Sequence, residues 1–244
     1  MLRYLASIFA LTLASCLPAE APDDEGVAAS GAASASSAAD SSSVGPPSPA
    51  GEGPIVVFLG TSLTAGLGLS NDDDTYVARV AELAEAAGMP LRAVNAGVSG
   101  ETSAGGLRRL DWVLRQPLDV LVVELGANDG LRGQDPEALA RNLTEIIRRT
   151  RTRYPGARVV LAGMEAPPNL GPRYTSAFRE VFPAVAAEAN VTLIPFLLEG
   201  VAGVPELNQD DGIHPTAEGH RLLARNVWRV LEPVLADARV AAGA

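Results

Sequence analysis

Two histidines, His214 and His220, are the only side chains of this sequence whose ordinary pKa falls between pH 5 and 8. A general base working near neutrality is therefore sought at one of them. His214 belongs to the segment Asp210-Asp211-Gly212-Ile213-His214-Pro215. A carboxylate three residues before the imidazole can accept from one ring nitrogen and leave the other free to take a proton. Asp211 holds that place, with Asp210 as its rival. His220 falls within a predicted helix and reads as a packed or solvated residue. The group such a base would activate is Ser62, in Gly60-Thr61-Ser62-Leu63-Thr64-Ala65-Gly66, just beyond an apolar run. Serine is a weak nucleophile and needs both a base and donors for a developing oxyanion. Asn128, in Gly126-Ala127-Asn128-Asp129, offers a neutral side-chain donor. The glycines of Asn95-Ala96-Gly97-Val98-Ser99-Gly100 let backbone N–H groups approach a ligand. Plainer alternatives exist: Ser62 as a turn cap and His214 as a loop residue bonded to backbone.

For these residues to meet, the fold must bring distant loops to one edge. The run Ile55-Val56-Val57-Phe58-Leu59 reads as a buried strand ending at Gly60. Further strands are predicted over 91–95, 119–125, 158–163 and 191–196, the second of these containing the continuous apolar run Val120-Leu121-Val122-Val123. Helical spacing appears over 75–87, 101–115, 136–153, 172–189 (despite Pro183) and 216–236. The arginines of 136–153 read as a solvated face. Strands alternating with helices of this length imply βαβ units and a five-stranded parallel sheet covered on both faces. In such a sheet the loops at the carboxyl ends of the strands share one edge, and those loops hold Ser62, Gly100, Asn128 and His214.

The 244 residues carry 19 basic side chains, all arginine, against 29 acidic ones, for a formal charge of −10. An acidic chain without a basic cluster argues against nucleic-acid binding. Residues 1–14 are mostly apolar, with Arg3 near the start; the run is too short for a membrane span and suits a signal-peptide core. It ends in Leu13-Ala14-Ser15-Cys16, which resembles a bacterial lipobox, and Cys16 is the only cysteine. Residues 1–16 are thus expected to be a lipoprotein signal peptide, with Cys16 lipidated and the protein anchored in the cell envelope. Ala19-Glu20-Ala21 is a weaker site for ordinary cleavage. Residues 17–53, rich in Ala, Ser and Pro and lacking any basic residue, are expected to be a disordered tether. Residues 54–244 suit a single domain. With Cys16 assigned to the anchor, no thiol remains for a disulfide, a cysteine nucleophile or a thiolate metal site.

Taken together, Gly60-Thr61-Ser62-Leu63, Gly100, Gly126-Ala127-Asn128-Asp129 and Asp211-Gly212-Ile213-His214-Pro215 resemble the four blocks of the SGNH (GDSL) hydrolases, in order and spacing. The longer segments 95–102 and 124–133 are similar to the bacterial arylesterase, thioesterase I and lysophospholipase branch. The resemblance implies a three-layer α/β/α, flavodoxin-like fold and a serine ester hydrolase. It assigns Ser62 as nucleophile, His214 as base and Asp211 as its orienting carboxylate. It places the oxyanion between the N–H groups of Ser62 and Gly100 and the Asn128 side chain, with no metal or cofactor. The family usually has aspartate before the serine, where this chain has Thr61. Thr61 keeps a hydroxyl able to bond the turn but no carboxylate, so Thr61→Asp is expected to change the rate modestly.

The expected reaction is two-step acyl transfer on an ester. The loops 129–134 and 165–171 are expected to shape the acyl pocket. Two other classes remain at this stage: a surface lipoprotein that binds acyl chains or a partner without catalysis, and a flavodoxin-like nucleotide binder. The second is disfavoured because the first turn lacks the dinucleotide glycine spacing and no lysine is present for a phosphate loop.

Overall fold

The computed structural model describes residues 53–243, with side chains described through 237. The leader, Cys16 and the tether up to residue 52 lie outside the described residues. Five strands, β1 (Ile55–Gly60), β2 (Arg92–Gly97), β3 (Val120–Glu124), β4 (Arg158–Ala162) and β5 (Thr192–Ile194), form one parallel sheet. Its order is β2-β1-β3-β4-β5. The chain runs outward from β1 to β2, then returns to the other side of β1 for β3. The crevice between the carboxyl ends of β1 and β3 is thus the switch point where doubly wound sheets bind ligands.

The five predicted strands are all present, and the reason is burial. β3 is buried along its whole length and β1 from its second residue on, so neither needs a polar face. Helices α2 (Tyr76–Ala86) and α7 (Ala217–Gly243) pack together on one side of the sheet. On the other lie α3 (Ser103–Val113), α5 (Pro136–Arg153) and α6 (Pro172–Ala189). Among them, α2 and α5 start on side-chain caps. Thr75 accepts from Ala78 N at 3.2 Å to start α2, and Asp135 accepts from Glu137 N at 3.0 Å to start α5. The α5 arginines are indeed solvated: Arg148 and Arg149 pair with Glu145 on the same helix.

Two short helices add to the predicted set. α1 (Ser62–Ala65) follows β1, and α4 (Ala127–Leu131) follows β3. Each is a single turn at the carboxyl edge of the sheet, and each carries one of the residues singled out above. α1 packs so closely on the ends of β1 and β2 that side chains are barred there. A Cβ on Gly60 would lie 1.9 Å from Thr64 Oγ1, and one on Gly97 would lie 2.2 Å from Ala65 N.

Candidate active site

Ser62 opens α1 and is 8% exposed. His214 lies in the loop before α7, and its Nε2 stands 2.9 Å from Ser62 Oγ across 152 residues of sequence. The other ring nitrogen, Nδ1, is 2.6 Å from Asp211 Oδ2. Asp211 Oδ1 accepts from the backbone N–H groups of Ile213 at 2.9 Å and His214 at 3.0 Å. The carboxylate is thus fixed by its own turn and presents its second oxygen to the imidazole. The bond from His214, then those backbone donors, hold the Asp211 carboxyl well below the usual carboxylate range. Asp210 makes no such bond, so the geometry separates the two aspartates.

Gln209 braces the loop. Its side-chain amide donates to Leu67 O at 2.8 Å and Pro215 O at 2.9 Å, and its N–H donates to His214 O at 2.7 Å. The first of these bonds ties the histidine loop to the chain just after the serine turn.

Gly100 and Asn128 line the same cavity as Ser62 and His214. Gly100 has φ +78°, a conformation that favours glycine. Its carbonyl accepts from Arg132 Nη2 at 2.9 Å, which fixes the orientation of a peptide at the cavity wall. Among the described residues, no protein acceptor takes the N–H of Ser62, the N–H of Gly100 or the Asn128 side-chain amide. Three donors are left unclaimed around one serine, as an oxyanion would require. Asp129, the neighbour of Asn128, is buried and turned the other way. It accepts from Ser103 N at 2.8 Å and Ser103 Oγ at 2.5 Å, tying α4 to the start of α3.

The cavity is about 520 Å³ and largely apolar. The two anticipated loops contribute Leu131 from one and Glu165, Ala166, Pro167 and Pro168 from the other. A third wall, from Phe196, Leu198, Ala202 and Gly203 beyond β5, is not signalled in the sequence. Leu67, Leu131 and Ile213 stand exposed at its margin.

Of the two states expected for His220, partly packed or solvated, the structure shows a packed one. It is 1% exposed, accepts from Tyr76 N at 3.1 Å through Nδ1, and stacks on the Tyr76 ring. Burial holds it down to about 4, a neutral structural imidazole. Glu124, the last residue of β3, is another feature that sequence reasoning passed over. It is fully buried and accepts from Thr61 and Thr64 on either side of Ser62. Burial pushes it up to about 7 against the lowering effect of those bonds.

A parallel sheet of order 2-1-3-4-5 with a serine–histidine–aspartate chain at its switch point is the architecture of a serine hydrolase. Residues 58–222 match the GDSL-like Lipase/Acylhydrolase family, and the chain belongs to it. It is 45% identical over 181 residues to esterase TesA of Pseudomonas aeruginosa, covering 74% of this chain and 89% of that protein. It is 37% identical over 182 residues to thioesterase 1/protease 1/lysophospholipase L1 of Escherichia coli, covering 74% of this chain and 84% of that protein. A crystal structure of TesA superposes with a TM-score of 0.71 at 44% identity, covering 74% of this chain and 99% of that one.

Proposed function

We propose that this ester hydrolase works through Ser62 as nucleophile, His214 as base and then acid, and Asp211 as the carboxylate that orients His214. The observation that carries the reading is the unbroken chain from Asp211 Oδ2 through His214 to Ser62 Oγ, at 2.6 and 2.9 Å, opening onto an apolar cavity. Ser62 Oγ attacks the ester carbonyl as its proton passes to His214 Nε2. The tetrahedral oxyanion sits among the Ser62 N–H, the Gly100 N–H and the Asn128 amide. Its collapse breaks the bond to the leaving group, which takes the proton from His214. Water then gives a proton to His214 and attacks the acyl carbon, and Ser62 leaves with that proton restored. These steps call on no metal or cofactor.

Asp211 keeps Nδ1 protonated so that Nε2 faces Ser62 as the acceptor. Its low affinity for a proton means that it balances the imidazolium and does not neutralise it. The apolar lining supports a substrate whose acyl or aryl part is apolar. The names of the relatives span aryl esters, acyl thioesters and lysophospholipids, which share an acyl carbonyl and differ in leaving group.

The test is hydrolysis of p-nitrophenyl acetate and a longer-chain p-nitrophenyl ester beside Ser62→Ala. Loss of the nucleophile is expected to cost about 10⁴-fold or more in kcat. A variant with wild-type turnover would overturn the assignment. Labelling of Ser62 by an organophosphonate separates catalysis from simple binding of acyl chains.

Attachment to a membrane is a separate reading, supported by the lone cysteine at the end of the lipobox-like segment. No described helix is long and apolar enough to cross a membrane. We infer an exported lipoprotein lipidated at Cys16, with residues 17–53 as the tether. A mass increase on the mature N-terminus is expected, and cleavage elsewhere would refute the anchor.

A further inference from the structure

Glu124 is a buried carboxylate with no cation bonded to it. Its partners are all donors from the turn that carries Ser62. Oε2 accepts from Thr61 N at 2.8 Å, Thr64 N at 3.3 Å and Thr64 Oγ1 at 2.7 Å, and Oε1 accepts from Thr61 Oγ1 at 3.0 Å. The pattern is unusual for a helix start. Thr61 is the N-cap of α1, and a threonine there normally bonds the N–H two or three residues on. Its hydroxyl makes no such bond and is turned to Glu124 instead. The N–H of Thr64, third in the helix, is taken by a side chain from the neighbouring strand.

The consequence for the chemistry is selective. Glu124 satisfies the N–H groups of Thr61 and Thr64 and passes over that of Ser62 between them. The one N–H in the turn needed for the oxyanion stays available. The hydroxyls are also directed: Thr64 Oγ1 gives its proton to Glu124, so Tyr76 OH, 2.7 Å away, must donate to Thr64. Tyr76, Thr64 and Glu124 form one ordered chain behind the nucleophile.

We propose that Glu124 is a positioning residue for ester hydrolysis: from β3 its ionised carboxylate caps the Ser62 turn, holding Ser62 Oγ on His214 and leaving the Ser62 N–H free. This rests on Ser62 being the nucleophile. Glu124 also explains how a turn with Thr61 in place of the family's aspartate holds together. The carboxylate that this turn bonds is supplied by the next strand.

Protonation disturbs the arrangement. A proton on Glu124 must be donated to one of the threonine oxygens, so the Thr61 or Thr64 hydroxyl that now donates to the carboxylate has to turn away from it. Around Glu124 stand Tyr76 from α2 and, behind it, His220 from α7. From α3, Arg109 bonds the carbonyls of Gly60 and Ala96 and pairs with Glu101. None of these gives Glu124 a counter-charge by direct contact. Its protonation near neutrality therefore weakens the turn in the range where His214 must act.

The experiment compares kcat, KM and the pH profile of the full chain with those of Ser62→Ala, Glu124→Gln and Glu124→Ala, counting active sites by organophosphonate titration. Glutamine keeps one oxygen for the two N–H groups and replaces the nearer acceptor of Thr61 Oγ1 by an NH₂, leaving that hydroxyl only the 3.2 Å contact to the shared oxygen. Its kcat per titrated site is expected to fall about tenfold with KM nearly unchanged, and the limb of the profile due to Glu124 to vanish. Alanine is expected to cost about 100-fold in kcat, the scale of a misplaced reacting group. Wild-type kcat per site and an unchanged profile in Glu124→Gln would overturn the proposal, as would losses that match only a fall in titratable sites. An active Ser62→Ala would overturn the nucleophile assignment instead.

Discussion

His220 Nδ1 accepts the backbone N–H of Tyr76 at 3.1 Å. That bond joins α7 to the first turn of α2, and the Tyr76 hydroxyl carries the connection on to Thr64 and Glu124. Two buried titratable groups thus flank Tyr76, one bonded to its backbone and the other reached through its hydroxyl, with opposite preferences for a proton.

Their opposition sets a prediction for stability. His220 is held down to about 4 from 6.5 by burial, so between those values only the unfolded chain binds its proton. Through His220, stability falls as pH drops across that window. Glu124 is pushed up to about 7 from 4.5, so there the folded chain keeps a proton the unfolded chain has lost. Through Glu124, stability falls as pH rises. Each slope is about 1.4 kcal/mol per pH unit at full effect, and the two offset each other from about pH 4.5 to 6.5. His220→Asn keeps an acceptor for Tyr76 N and removes one slope. The variant is expected to lose stability as pH rises through this range, relative to the parent. Urea midpoints at pH 4.5, 5.5 and 6.5 measure it, and parallel curves for the two proteins would sink the argument.

The two adjacent aspartates should behave very differently. In Asp211→Asn the remaining oxygen can serve the Ile213 and His214 N–H groups, which turns the NH₂ toward the imidazole. Nδ1 must then accept, Nε2 carries the proton, and Ser62 loses its base. The expected fall in kcat is about 10³- to 10⁴-fold, largest at low pH. Asp210→Asn, which touches neither partner, is expected to stay within about twofold. Similar losses in both variants would mean that the loop, and not the Asp211–His214 bond, is what matters.

Arg132 offers a subtler test because it is exposed and touches the Gly100 peptide only through the carbonyl. Arg132→Ala frees the Gly100–Glu101 peptide to rock; the Gly100 N–H lies on the adjoining Ser99–Gly100 peptide, so the release reaches that donor through the Gly100 torsions and should blunt it without removing it. Deleting a donor outright costs about 10²- to 10³-fold, so a loss of about tenfold in kcat is expected, with KM little changed. A change confined to KM would assign Arg132 to substrate binding.

Much of this fold is legible because burial writes itself into the strands. The Ile55–Gly60 and Val120–Glu124 segments are apolar runs since both faces of the sheet are covered. Ser62 and Asn128 stand out because each closely follows a recognisable apolar strand, and Asp211 and His214 because one of only two histidines follows an aspartate by three residues. What stays hidden is either short or made by contact across the fold. α1 and α4 span barely a turn, too little for a helical period to show. Glu124 reads as a polar residue at a strand end until the register of β1 on β3 brings Gly60 opposite it. His220 occupies a helix position whose burial depends on α2 lying over it. The wall formed by Phe196, Leu198 and Ala202 follows a strand of only three residues, where no period marks which side chains face inward.

The shape of the cavity gives the last prediction. Ala166 lies between Glu165 and the pair Pro167-Pro168, on a stretch whose prolines restrict how far it can retreat. Its side chain is a single methyl at the cavity wall. Ala166→Trp is expected to fill space needed by a long acyl chain while sparing the serine, the imidazole and the oxyanion donors. Hydrolysis of p-nitrophenyl acetate should stay within a few-fold of the parent. The ratio of kcat/KM for an octanoyl ester to that for the acetate should fall about tenfold or more, the scale of losing several methylene contacts in an apolar pocket. Equal losses on both esters would show that the bulk disturbs the reacting groups themselves. An unchanged ratio would place the acyl chain along the wall formed by Leu198 and Ala202, and a matching substitution there would then have to produce the selectivity.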